Sequence, residues 1–275
     1  MRLKLRRKIV SRLLIAIAIF VTAIVGVAAK AQNSRPIASS PYLFVWAGDA
    51  DRNESDFLAV IDVRPKSKRY GRVITTLPIS HVVQVWRLTD LKLLKSIYLP
   101  GAEGVDPAEP RLLSDGRTVL VSTFTCGLYR ITNLESENPG AEFIHSFGGK
   151  NCELPVVAGK FWIQTVPASR ALISLDISNP SKPVEASRLV FGESDKPHWI
   201  ALEPNGRRIV VSGGSGTLKS RVLIARIDSQ TGKLSLDGAF REKAAKEAGI
   251  NFERELWKHG KSGRAIPHGA VFSRP

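Results

Sequence analysis

Five histidines carry most of the ligand and proton-transfer capacity of this chain: His81, His145, His198, His259 and His268. A transition metal wants two to four imidazole or thiolate ligands, each steadied by a hydrogen bond on its outer side. No two of the five stand at i, i+2 or i, i+4, so the fold would have to assemble any ligand set. His198 and His268 each follow a proline, in Lys196-Pro-His-Trp199 and Ile266-Pro-His-Gly269, directly ahead of an apolar stretch. Such a position suits a metal ligand at a strand mouth or a histidine hydrogen-bonded where the strand starts, and the second is the plainer reading of each. His145, between Ile144 and Ser146, reads as a packing residue, and His259, in a basic loop, as a solvated one. His81 is set apart only by its place at a junction between repeats.

Other groups invite chemistry. Glu109 and Glu203 both precede proline, and two carboxylates facing one channel can act as acid and base or bind a ligand cation. The simpler view is that proline ends each loop and the glutamate caps it. Cys126 and Cys152 are an even pair, open to three readings: a disulfide, two buried thiols, or metal ligation. A disulfide would tie the hairpin at 117–132 to the loop Gly148-Gly-Lys-Asn-Cys152. Gly213-Gly-Ser-Gly216 has the glycines of a phosphate cradle but no following Lys-Ser/Thr on a helix, so it reads as a flexible hairpin loop.

The elements that must position these groups are strands. Beyond a linker at 32–41, apolar stretches of four to eight residues alternate with Gly, Pro, Asn and Asp, the punctuation of an all-β domain over 42–275. Ala239 to Ala248, ahead of Gly249, is the exception and predicts a short helical insert near the C-terminus. Glu109–Ser122 and Leu202–Ser212 each set Asp-Gly or Asn-Gly between apolar runs and read as hairpins. A second kind of strand begins at Phe57, Val82, Gly127, Ala171 and Arg221, at intervals of 25, 45, 44 and 50. Units of about 40–50 residues carrying four short strands are blades of a β-propeller, here incomplete or small, with four to five blade-like units. A two-sheet sandwich is the competing architecture. The interval of 25 is too short for a blade. Trp46, Trp86, Trp162 and Trp199 recur once per unit and read as blade-packing residues.

The chain has 275 residues and a formal charge of +15, with 43% hydrophobic residues. That composition supports a folded core and excludes a collagen, a coiled coil or a multi-span membrane protein. Much of the charge lies in residues 1–12, ahead of the uncharged stretch Leu13 to Ala29 and the small-x-small run Ala29-Lys30-Ala31. This is the form of a signal peptide over 1–31 or of an N-terminal membrane anchor, so the expected location is periplasmic or extracellular. Without residues 1–31 the balance is 33 basic against 25 acidic side chains, a formal +8. The remaining cations are scattered singly, which argues against nucleic acid as a partner and leaves a small-molecule ligand. An open propeller would also carry an unprotected sheet edge prone to self-association.

Laid out in this way, the chain resembles the selenium-binding protein family, which includes methanethiol oxidases built on seven-bladed propellers. The resemblance rests on Asp56-Phe-Leu-Ala-Val-Ile-Asp-Val-Arg-Pro-Lys-Ser-Lys-Arg-Tyr-Gly-Arg-Val-Ile74, on Val82 to Leu99, on Leu175-Asp-Ile-Ser-Asn-Pro-Ser-Lys-Pro183 and on Ile266-Pro-His-Gly-Ala270. It implies copper as a cofactor and metal-assisted oxidation of a small thiol by oxygen to an aldehyde, hydrogen sulfide and hydrogen peroxide. It also implies that several blades are missing after residue 79, where the family's paired-His and Cys-x-x-Cys segments have collapsed to Ser80-His81. A non-catalytic binding propeller is the alternative. A lactonase-like hydrolase is a further one, because Pro197-His-Trp-Ile-Ala-Leu-Glu-Pro-Asn-Gly206 followed by Asp228-Ser-Gln-Thr-Gly-Lys233 is similar to the repeat of that superfamily.

Overall fold

The computed structural model describes residues 40–47, 57–78, 82–101, 105–258, 260 and 263–273. The proposed signal segment 1–31, most of the linker, the junction at Ser80-His81, and His259 lie outside the described residues.

The described strands fall into two compact units. One is a three-stranded antiparallel sheet of β1 (Tyr42–Ala47), β2 (Phe57–Asp62) and β3 (Val73–Pro78), in chain order. Buried Asp62 closes the turn after β2 by accepting from the Arg64 guanidinium and the Ser67 hydroxyl.

The other unit holds four antiparallel sheets. The first has only two strands, β4 (Val82–Arg87) and β5 (Lys92–Tyr98). Next come β6 (Pro107–Leu112), β7 (Val119–Thr123), β8 (Gly127–Thr132) and β9 (Gly140–Ser146), paired in that order. The third sheet is β10 (Pro155–Ala158), β11 (Phe161–Val166), β12 (Ala171–Asp176) and β13 (Val184–Val190). The last is β14 (Lys196–Leu202), β15 (Arg208–Ser215), β16 (Arg221–Ile227) and β17 (Leu234–Leu236), with β18 (Ile250–Asn251) added against β16. This is a β-propeller-like architecture of small meander sheets. The five recurrent strands that mark the repeat, β2, β4, β8, β12 and β16, stand one in each sheet, each followed by its antiparallel partner. The interval of 25 corresponds to the β4–β5 sheet, which has those two strands and not the two that precede them in a complete blade.

Successive sheets of this unit bury their faces against each other. Side chains alternate along a strand, so Val119 and Val121 point to one side of β7 and Leu120 to the other. The first pair packs with Val83, Val85 and Ile97 of the two-stranded sheet, and Leu120 packs with Trp162 and Ile173 of the third sheet. Phe161 and Ile163 face the opposite way from Trp162, onto Ile200, Ile209 and Leu223. A strand covered on both faces cannot alternate apolar with polar, which explains why β7 and β11 are buried along their whole length. The outer strands β9 and β13 are largely exposed.

The helical insert is not formed. Residues 239–248 make turns and bends, closed by Gly249 N–H donating to Phe240 O and by a bridge between Arg241 and Gly249. A ten-residue helix needs an apolar face to dock, and from this segment only Ala248 reaches the core. The described helices are two 3-10 turns, Pro167–Ser169 and Gly216–Ser220. None is long and apolar enough to cross a membrane.

The two hairpins form with loops wider than a two-residue turn. Leu113 N–H bonds Thr118 O and Glu203 N–H bonds Arg208 O, with only Gly116 and Gly206 at positive φ. Asp115 and Asn205 accept backbone N–H groups through their side chains, an Asx device in place of a left-handed backbone.

Candidate functional site

The site is built at the start of β14. Pro197 is buried and breaks the register between β14 and β15, and His198 follows with its ring half-buried. Its Nδ1 lies 3.3 Å from Oε2 of Glu153, which sits in the loop leading into β10. Its Nε2 lies 3.2 Å from Nε2 of His268. His268 arrives on the C-terminal segment, held where Trp199 Nε1 donates to Ala270 O at 3.2 Å. Gly269 lies flat on the indole, with room for a Cβ only at 3.6 Å from the ring. Trp199 therefore docks this segment, whereas Trp162 packs a blade interior as expected and Trp86 is half-buried. The side chain of Trp46 lies outside the description.

The electrostatics follow from this arrangement. The hydrogen bond from His198 to Glu153 raises the imidazole pKa, partial burial opposes the rise, and the carboxylate charge adds to it. With its Nδ1 proton donated to Glu153, the neutral ring would present the Nε2 lone pair on the side of His268. Two nitrogens bound to one ion at about 2.0–2.1 Å in tetrahedral geometry lie about 3.3 Å apart. The observed 3.2 Å fits a pair of imidazoles sharing an ion, and Glu153 fits the carboxylate that such a ligand holds on its far nitrogen. Among the described residues no group of three or more His, Cys, Asp or Glu is arranged to hold a metal. The pair is thus one short of the three protein ligands of a catalytic zinc site.

Glu153 reaches His198 because its loop is tied down. Cys126 and Cys152 form a disulfide with Cα atoms 4.9 Å apart, and both are buried. Asn151 and Cys152 N–H groups donate to Phe124 O, and Glu153 N–H donates to Thr165 O. The only sequence signal for Glu153 was its place between that cysteine and the start of a strand.

The two Glu-Pro glutamates take different places on their sheets. Glu109 lies within β6, opposite Ser122, and pairs with Arg111. Glu203 lies past the far end of β14 in the hairpin loop, gripped by Arg208, whose Nε donates at 2.9 Å. Proline marks local backbone only; aligning the two hairpins on their turn glycines sets Glu109 against Trp199, not against Glu203. His145 stands in β9 with its ring 5.0 Å from Phe147, and burial lowers its pKa.

A cavity of about 480 Å³ opens beside His198 and Glu153, lined also by Lys150, Lys196, Pro167 and Gly214.

No family model matches the chain, and no curated protein matches it. Among solved structures it is similar to a hypothetical selenium-binding protein from Sulfolobus tokodaii, with a TM-score of 0.58 and 14% identity over 77% of this chain and 64% of that one. It is also similar to a candidate 6-phosphogluconolactonase from Bacteroides fragilis, with a TM-score of 0.54 and 14% identity over 74% of this chain and 69% of that one. A second candidate 6-phosphogluconolactonase, from Bacteroides uniformis, gives 0.51 and 13% over 71% and 66%. The chain spans less than two thirds of the length of the Sulfolobus protein, and at these identities the likeness is one of fold: this chain is β-propeller-like.

Proposed function

We propose that this chain is an exported, small-molecule-binding propeller of the selenium-binding type, and that His198 and His268 together capture one transition-metal ion beside the cavity. The observation that carries the reading is the meeting of two imidazoles 70 residues apart, one of them oriented by a carboxylate. Copper is the ion that the family resemblance implies, and when bound it would supply a redox-active Lewis acid with open coordination positions. The chain's own part is positional. Glu153 keeps the Nδ1 proton in place, Trp199 holds the segment that carries His268, and the disulfide fixes the loop that carries Glu153. With two described ligands, the reading is of ion and ligand capture; oxidation of a thiol would need the His and Cys segments absent near Ser80.

Metal analysis of the purified chain, with Cu(II) titration followed by electron paramagnetic resonance, tests this. One copper per chain with nitrogen hyperfine structure is expected, lost in His198→Ala and in His268→Ala. Unchanged copper content in both variants overturns the reading. Export is tested by the N-terminal sequence of the mature chain, expected to begin at Gln32.

A second reading, a lactonase-like hydrolase, is favoured by one observation: the Glu153–His198 pair and two lysines line one cavity, giving a base and cations without a metal. Lactone hydrolysis that persists in a chelator and is lost in His198→Ala would establish it.

A further inference from the structure

We infer that the cavity beside His198 is an oxyanion site, taking a small carboxylate or phosphate ligand between Lys150 and Lys196, with the rest of that ligand over Gly214. The inference rests on the reading that this cavity is the functional site, and it adds the chemical class of the ligand.

The charge inventory leads to it. Lys150 comes from the loop after β9 and Lys196 is the first residue of β14, and both line the cavity. Neither has an ion-pair or hydrogen-bond partner for its ammonium group among the described residues. Glu153 accepts from His198, and Asp195 accepts from the Thr217 hydroxyl at 2.9 Å and from Leu218 N–H at 3.2 Å. Two cations lining one cavity attract an anion from solution, and a cleft with low-dielectric walls strengthens that field. Pro167 and Ala168 supply such a wall. The volume, about 480 Å³, suits a small molecule and not a polymer.

The glycines at the end of β15 explain the shape. A Cβ on Gly213 would lie 2.4 Å from Leu218 Cβ and 2.8 Å from Lys196 O, so only glycine lets the strand pack this close. Gly214 is different: a Cβ there would sit 3.9 Å from His198 Cβ without a clash. Its missing side chain leaves the space beside the imidazole open. Gly214 thus makes room for a ligand, while the lysines supply the charge that a phosphate cradle draws from a helix.

The test is a titration of the full mature chain, labelled at histidine with 15N, using inorganic phosphate and, separately, lactate at constant ionic strength. Saturable shifts of the His198 ring signals are expected with at least one anion; the stronger of the two identifies phosphate or carboxylate as the group read. Replacing both lysines, Lys150→Met with Lys196→Met, should weaken binding about tenfold or more. Gly214→Leu should block binding by filling the cavity. Lys233→Met, which does not line the cavity, should leave it unchanged. Copper uptake in the double-lysine variant should stay within twofold of wild type, and His268→Ala should lose copper yet retain the anion. The inference is overturned if neither anion saturates, if the double-lysine variant binds as wild type, or if Lys233→Met weakens binding as much. Absence of copper capture by the wild-type chain, with anion binding intact, would sink the metal reading alone.

Discussion

His198 is held between two groups of opposite character: Nδ1 faces the Glu153 carboxylate at 3.3 Å and Nε2 faces the His268 imidazole at 3.2 Å. Because Glu153 favours the imidazolium, His198 titrates above its ordinary value of 6.5. A group raised in this way contributes stability below pH 6.5 that is lost as pH rises through the raised value. Metal, which takes the neutral ring, gains affinity over that same rise. Glu153→Gln should return the His198 titration toward 6.5 and weaken copper about 10–100-fold at high pH. Histidine NMR titration reads the first effect and a competitive chelator the second. A titration midpoint unmoved in the variant would show that Glu153 does not act on this ring.

Trp199→Phe tests the docking of the C-terminal segment. The variant keeps the aromatic face under Gly269 and loses the hydrogen bond to Ala270 O. A net loss of about 1 kcal/mol corresponds to about fivefold weaker copper binding, with little change in the unfolding midpoint. Copper affinity equal to wild type, alongside loss in His268→Ala, would mean that His268 is placed without Trp199.

The disulfide closes a loop with a sequence separation of 26. In the chain-entropy model that loop length corresponds to about 3.5 kcal/mol of stability, so Cys126→Ser with Cys152→Ser should lower the denaturant midpoint clearly. Because Cys152 adjoins Glu153, the same variant should move the His198 titration toward 6.5. Equal midpoints for oxidised and reduced chain would refute the first expectation.

Asp115 accepts from the Thr118 hydroxyl and from the Thr118 and Arg117 N–H groups, which lower its pKa to about 2. A depressed carboxylate contributes stability that is full above its unfolded value near 3.8 and lost as pH falls through about 2. Asp115→Ala should therefore be less stable than wild type at neutral pH, and the gap should close as acid is added. Denaturation curves taken between neutral pH and pH 2 measure it; a gap independent of pH would assign the effect to packing.

How far the residues could be read in advance depended on the range of the interaction. The strands at Phe57, Val82, Gly127, Ala171 and Arg221 were legible because apolar runs and turn residues act over a few neighbours. The same run of reasoning placed a helix at 239–248, where local preference favoured it and only docking could refuse it. The glutamates before Pro110 and Pro204 looked equivalent because proline marks backbone, and backbone alone does not say which side of a sheet a carboxylate reaches. Glu153 carried almost no signal, since its role comes from a loop fastened by Cys152 and from a histidine 45 positions away.

The order of residues settled the class of the molecule: short strands in repeated groups, with two histidines after prolines worth watching. Folding settled their company. It joined Cys126 to Cys152, set His268 against His198 across 70 residues, and gave the second nitrogen of His198 to Glu153. The division has a physical cause: strand and turn preferences are summed over neighbours along the chain, whereas a site exists only where separate sheets, packed through shared apolar faces, bring their strand starts together.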